Sequence, residues 1–118
     1  MQAKVKNNTL IIYVNGDLDH HNAEKIKDLA DMKIMENRIK NVIFDFENSN
    51  FMDSSGIGVI MGRYKLVENI GGIICAVNMN QAVKRIFSIS GLFKIIRQYD
   101  TVQDAMSVIG EEKWLWKH

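Results

Sequence analysis

The sequence predicts an α/β fold, and two observations support that prediction. Short apolar runs rich in β-branched residues alternate along the chain with longer segments in which apolar residues recur at helical spacing. The connections between these segments are short, and glycine or asparagine stands at most of their ends. Alternation of this kind implies right-handed crossovers and a mixed, largely parallel sheet of four to five strands, packed by four to five helices.

The first elements are a predicted hairpin and a helix. Residues 10–14 form an apolar run, and residues 3–6 can pair with it as an antiparallel arm. Asp19 is a candidate N-cap, and helical spacing continues from it to about Asn37. The apolar positions of this helix are Ala23, Ile26, Leu29, Ala30 and Ile34.

A strand and a second helix follow. Residues 41–46 have the composition of a strand, and the helix begins at Ser54 or Ser55 and ends at Gly71-Gly72. Either serine can serve as the N-cap, because a hydroxyl oxygen accepts a hydrogen bond from an unpaired amide of the first turn. The apolar stripe of this helix is predicted to contain Ile57, Ile60, Met61, Tyr64 and Val67.

The remaining elements repeat the strand-helix pattern. Residues 73–77 form a fully apolar strand of the kind that is buried on both faces. Asn78 or Asn80 caps the next helix, which ends at Gly91, and a short strand is predicted at residues 95–99. The third helix carries Ala82, Val83, Ile86 and Phe87, and the last carries Val102, Ala105, Met106 and Ile109.

Charge, cysteine count and hydropathy exclude several classes of protein. The 118 residues carry a net charge of +1 without a block of like charges, so the basic surface expected of a nucleic-acid-binding protein is missing. Cys75 is the only cysteine, which excludes an intrachain disulfide and is typical of a reducing compartment. The sequence contains no apolar run of membrane-spanning length, so we expect a cytoplasmic protein without direct membrane insertion.

The segment at residues 51–58 is the best candidate for function. It joins the carboxyl end of a predicted strand to the start of a helix, which is where α/β sheets display ligands and reactive groups. A phosphate on Ser54 would add a charge of about −1.5 to −2 at a helix N-terminus, where negative charge is tolerated. The alternative interpretation, in which a serine only caps the helix, stays open at this point.

Other chemistries fit the sequence less well. Gly56 and Gly58 at a helix start could approach a nucleotide, but Gly62 lies one residue too late for the dinucleotide fingerprint and a P-loop lysine is missing. The nucleophile elbow of serine hydrolases is also missing. His20-His21 has too few neighbouring ligands for a metal site. We therefore expect no catalytic residue, metal or cofactor.

Three segments resemble a known family. They are residues 16–21 (GDLDHH), 51–65 (FMDSSGIGVIMGRYK) and 82–96 (AVKRIFSISGLFKII). Together they resemble the STAS-domain anti-sigma factor antagonists, with the closest likeness to the sporulation members. The resemblance implies one STAS domain at residues 1–118, with residues 112–118 as a possible loose tail. Asn80-Gln81-Ala82 departs from relatives that often carry proline there, and the Trp114-Leu115-Trp116 tail has no counterpart in the pattern.

The resemblance also implies a protein-binding switch rather than an enzyme. The unphosphorylated form would bind an anti-sigma factor that is also an ATP-dependent serine kinase, and so free the sporulation sigma factor, sigma-F. Phosphorylation would fall on Ser54, and a serine phosphatase would reverse it. The residues that would support the phosphorylation loop are Asp53, Ser55 and Gly56. The residues that would bind the partner are Asp19, Ile57 and Ile86. The free protein is expected to be a monomer.

Overall fold

The computed structural model describes residues 2–36 and 38–117, with side chains described up to residue 110. The elements confirm the predicted α/β order. They are β1 (Gln2–Lys6), β2 (Thr9–Tyr13), α1 (His20–Glu36), β3 (Asn41–Asp45), α2 (Ser54–Asn69), β4 (Ile74–Val77), α3 (Gln81–Ser90), a 3-10 turn (Leu92–Lys94), β5 (Arg97–Tyr99) and α4 (Val102–Lys117).

The described strands form one mixed sheet in the order β1-β2-β3-β4-β5. β1 pairs antiparallel with β2 as the predicted hairpin, and every later pairing is parallel. Because each crossover adds the next strand to the same edge, the carboxyl ends of β2, β3 and β4 lie side by side. The segments that leave those ends therefore meet along one border of the sheet.

Both faces of the sheet are covered, and this explains the apolar strands. Ile12 and Phe44 belong to the large core cluster with side chains of α1, α2 and α3. Ile11, Ile43 and Cys75 point to the other face, where α4 contributes to a smaller cluster. Alternate residues of each strand are thus buried on opposite sides, which removes the polar and apolar alternation of a half-exposed strand. Cys75 is fully buried, as predicted for a small core residue.

Two details of the predicted elements are wrong. Met61 was expected on the core stripe of α2 but is 41% exposed, because the buried positions of α2 run through Gly56, Ile60, Arg63 and Val67. The predicted strand at residues 95–99 begins only at Arg97. The chain before it is held in a turn in which the carbonyl oxygen of Leu92 accepts the amides of both Ile95 and Ile96, at 3.0 and 2.8 Å.

The last helix, α4, is described by its backbone further than by its side chains. The backbone of α4 continues to Lys117. Two predictions concern side chains outside the described residues. They are the loose tail at residues 112–118 and the role of Trp114-Leu115-Trp116. Among the helices that the structure describes, none has the length and apolar character to cross a membrane.

Candidate functional site

The segment before α1 and the segment before α2 are joined to each other. The amide of Leu18 donates to the carbonyl oxygen of Phe51 at 2.9 Å, and the amide of Asp53 donates to the carbonyl oxygen of Leu18 at 3.3 Å. Leu18 and Met52 form an isolated parallel bridge, and both side chains are fully buried. The two segments consequently form one platform that presents Asp19 and Ser54 together.

Asp53 caps α2 and also holds the start of α1. Its Oδ1 accepts the amide of Ser55 at 2.8 Å, and its Oδ2 accepts the amide of His20 at 3.3 Å. The expectation that a serine caps α2 is wrong, because Asp53 occupies the N-cap position with an extended backbone and Ser54 is already the first helical residue. A carboxylate at this place is favourable, since it faces the positive ends of two helices.

The side chain of Ser54 therefore has no structural role among the described residues. Its side chain is exposed and makes no hydrogen bond to any described residue. The neighbouring Ser55 is half-buried, and its Oγ lies 3.5 Å from Nδ1 of His20. Of the two serines, Ser54 is the one whose hydroxyl is accessible to another protein without any change in the platform.

Gly56 is explained by packing against Leu18. A Cβ atom at Gly56 would lie 2.6 Å from the carbonyl oxygen of Leu18 and 2.8 Å from its Cγ, so a larger residue would push the two segments apart. Gly58, by contrast, is exposed and has no atom within 4 Å of such a Cβ. Gly56 therefore has a packing role that Gly58 does not share.

Two of the predicted partner residues lie at this platform, and the third lies on α3. Asp19 is half-buried, and its Oδ1 accepts the amide of Asn22 at 3.0 Å, so it caps α1 as expected. Ile57 lies in the first turn of α2 and Ile86 lies on α3, and both are half-buried at the edge of the large cluster. All three therefore combine a structural contact with surface that a partner could reach.

Asn80 brings the start of α3 to the same border, and sequence reasoning missed this role. Its Oδ1 accepts the amide of Val83 at 2.9 Å, which confirms Asn80 as the cap of α3. Its Nδ2 donates to the carbonyl oxygens of Ser49 at 3.2 Å and Asn50 at 3.4 Å, in the segment before α2. Asn80 thus serves both as a cap and as a link between loops.

Arg63 is a second residue whose role the sequence did not indicate. It lies on the buried side of α2, with 7% of its side chain exposed, and its Nε is 3.2 Å from Oδ1 of Asp31 on α1. The two residues form an ion pair between the helices that start at the platform. A charged residue within an apolar stripe is the only sequence signal for such a contact.

Within the described residues, histidine, cysteine and carboxylate side chains do not form a group of three or more that could hold a metal ion. The platform has other features that bear on the predicted role. It combines an exposed hydroxyl, carboxylates that hold backbone amides, and half-buried isoleucines.

Comparison with known proteins identifies the class. Residues 1–105 match the family model described as the STAS domain. The chain therefore belongs to the STAS domain family. A relative from Paenibacillus polymyxa named anti-sigma F factor antagonist is 39% identical over 98 residues, which cover 83% of this chain and 84% of the relative. Within the family, the chain belongs with the anti-sigma factor antagonists.

Solved structures agree with this assignment. The chain is similar to the anti-sigma factor antagonist SpoIIAA in its unphosphorylated form, with a TM-score of 0.82, 31% identity and coverage of 93% of this chain and 96% of that one. It is also similar to SpoIIAA of Bacillus in the phosphorylated form, with a TM-score of 0.72, 30% identity and coverage of 92% and 97%. The predicted STAS-type fold is thereby confirmed.

Proposed function

We propose that this protein is an anti-anti-sigma factor of the sporulation type, and that residues 1–118 act as a single STAS domain in the cytoplasm. Its unphosphorylated form binds an anti-sigma factor through Asp19, Ile57 and Ile86 and thereby frees the sigma factor, sigma-F. It has no catalytic activity of its own. The observation that supports this proposal most directly is the position of Ser54, which is exposed beside Asp19 and Ile57 and is not used by the fold.

Phosphorylation of Ser54 is the proposed off state. A phosphate group adds about −1.5 to −2 charges and must lose its water shell if a partner covers it. Desolvation of such a group beside an apolar contact at Ile57 can cost several kcal/mol, and each ~1.4 kcal/mol lowers affinity about tenfold. Like-charge repulsion adds to the penalty where the partner places a carboxylate against the phosphate.

The switch acts by occlusion of the partner surface, with the fold unchanged. The amides of His20 and Ser55 are already satisfied by Asp53, so a phosphate on Ser54 is not required to complete either helix. The similarity of the chain to both the unphosphorylated and the phosphorylated form of SpoIIAA supports a fold that is common to the two states.

A switch by phosphorylation needs a kinase and a phosphatase as partners. The anti-sigma factor is proposed to be the serine kinase that uses ATP to modify Ser54, and a serine phosphatase restores the active form. Both enzymes need a hydroxyl or phosphate that they can reach from solvent. The exposure of Ser54, which contrasts with the half-buried Ser55, meets that requirement.

Tandem mass spectrometry tests the assignment of the residue. The purified protein, Ser54→Ala and Ser55→Ala are each incubated with ATP and the anti-sigma factor kinase of the same source. We expect one phosphate on the wild type and on Ser55→Ala, and none on Ser54→Ala. A phosphate on Ser55 alone would assign the modification to that residue and contradict the role of Ser54. No phosphate on either serine, with binding of the partner intact, would instead support a constitutive adaptor.

A further inference from the structure

One side of α3 exposes apolar surface beyond the proposed partner residues. Ala82, Arg85, Ile86 and Ile89 recur at helical spacing, so they share one side of the helix. Ala82 and Arg85 are exposed, Ile86 is half-buried, and Ile89 is 74% exposed. We call these four residues the α3 stripe. The opposite side of α3 is anchored in the core by Val83 and Phe87, so the direction of the stripe is fixed.

The turn that follows α3 has a further exposed apolar side chain. Gly91 has a positive φ of 80°, which ends the helix and turns the chain into the 3-10 turn Leu92–Lys94. Phe93 in that turn is 38% exposed, and its ring centroid lies 5.4 Å from that of Phe87. An exposed isoleucine alone is ordinary. An exposed isoleucine that extends a half-buried one along the same side of a helix favours a docking surface.

The charged residues of α3 have one sign. Between Glu68 and Asp100 the sequence contains no aspartate or glutamate. The charged residues of α3 itself are Lys84 and Arg85. The border that presents Asp19 and Asp53 is acidic, so the protein offers an acidic platform and a basic, apolar helix next to it. The surface that complements the stripe is therefore acidic and apolar.

We propose that the α3 stripe is a second part of the docking surface and that it receives an acidic, apolar segment of the anti-sigma factor. This inference rests on the proposed function, because Ile86 belongs both to the proposed partner site and to the stripe. Apolar side chains of the segment cover Ile86 and Ile89, and a carboxylate of the segment pairs with Arg85. Removal of Ile89 from water strengthens the complex, and Arg85 accelerates association and selects for acidic partners.

The test compares Ile89→Glu with Met35→Glu by calorimetric titration of each variant with the anti-sigma factor. Met35 is 86% exposed on α1, so its substitution is the same chemical change away from the α3 stripe. We expect Ile89→Glu to weaken binding at least about tenfold, and Met35→Glu to leave it unchanged. Arg85→Glu is expected to weaken binding and to reduce the salt dependence of the association rate.

The outcomes separate this inference from the proposed function. Absence of binding by the wild type would contradict the proposed function itself. If the wild type, Ile89→Glu and Met35→Glu all bind equally well, the role of the α3 stripe is overturned and the proposed function is not. Sedimentation of the free protein provides the remaining outcome: a wild-type dimer that Ile89→Glu converts to a monomer would overturn the proposal and assign the stripe to contact between two copies.

Discussion

Asp53 and His20 are joined by a hydrogen bond across 33 residues of sequence, with Oδ2 of the carboxylate 3.3 Å from the backbone amide of the histidine. Because the same carboxylate caps α2 through Ser55, one side chain fixes the starts of two helices. The residue next to Ser54 therefore sets the position of Asp19, which directly precedes α1. This link makes the platform a single unit to which a partner can bind.

Replacement of Asp53 by alanine is expected to destabilise the protein by about 1–2 kcal/mol, because the amides of Ser55 and His20 both lose their acceptor. Urea denaturation measures this loss. Asp53→Asn is the matched control, since its side-chain oxygen can still cap α2 and should retain most of the stability. Equal stability of Asp53→Ala and the wild type would show that the carboxylate does not hold the two helices.

Gly56→Ala is expected to destabilise the protein by about 1–3 kcal/mol, because the added methyl group would meet the backbone oxygen of Leu18 at 2.6 Å. Gly58→Ala is the control two residues later on the same helix. Its methyl group would meet nothing within 4 Å, so the higher helix propensity of alanine should leave stability unchanged or raise it by up to about 1 kcal/mol. The two thermal unfolding midpoints should move in opposite directions or by clearly different amounts.

Asp31→Ala is expected to lower stability by about 1 kcal/mol, since it leaves the buried guanidinium of Arg63 without its counter-charge. The loss is moderate because the Asp31 side chain is 37% exposed and its interaction is partly screened by water. The double variant Asp31→Ala, Arg63→Met should recover stability, because an apolar side chain of similar length fits the buried position. A double variant that is less stable than Asp31→Ala would contradict this account of the pair.

Ile57→Ala is expected to weaken binding of the anti-sigma factor by about tenfold or more, because Ile57 lies one turn from Ser54 and offers apolar surface at the centre of the proposed interface. Met61→Ala, one turn further along α2, removes a side chain of similar size that is 41% exposed. It should change the affinity less. Similar losses for both variants would place the centre of the interface further along α2.

The helices and strands were predictable from the sequence because the spacing of their apolar residues agreed with the capping and turn residues at their ends. Gly91 has the positive φ expected of a helix end, and Asn80 is the cap of α3. The choice between Asp53 and a serine as the cap of α2 could not be made from sequence, because all of these residues are good caps and only the backbone geometry decides. Met61 was misplaced because the buried side of α2 is set by its contact with α1.

The site was predictable in position but only partly in its contacts. The strand-loop-helix order located Ser54, and the resemblance supplied its proposed role. The carboxylate link from Asp53 to His20, the two loop contacts of Asn80 and the ion pair of Arg63 all join residues that are 30 or more positions apart. Local spacing contains no information on such contacts, since they depend on how the crossovers bring the strand ends together.

In the proposed switch, the phosphate on Ser54 alone decides whether the protein binds its partner. The most direct measurement is the affinity for the anti-sigma factor before and after stoichiometric phosphorylation, for the wild type and for Ser54→Ala treated identically with ATP. We expect the phosphorylated wild type to lose about a hundredfold or more in affinity, and Ser54→Ala to bind tightly whether or not ATP is present. Equal affinity of the two wild-type forms would contradict it.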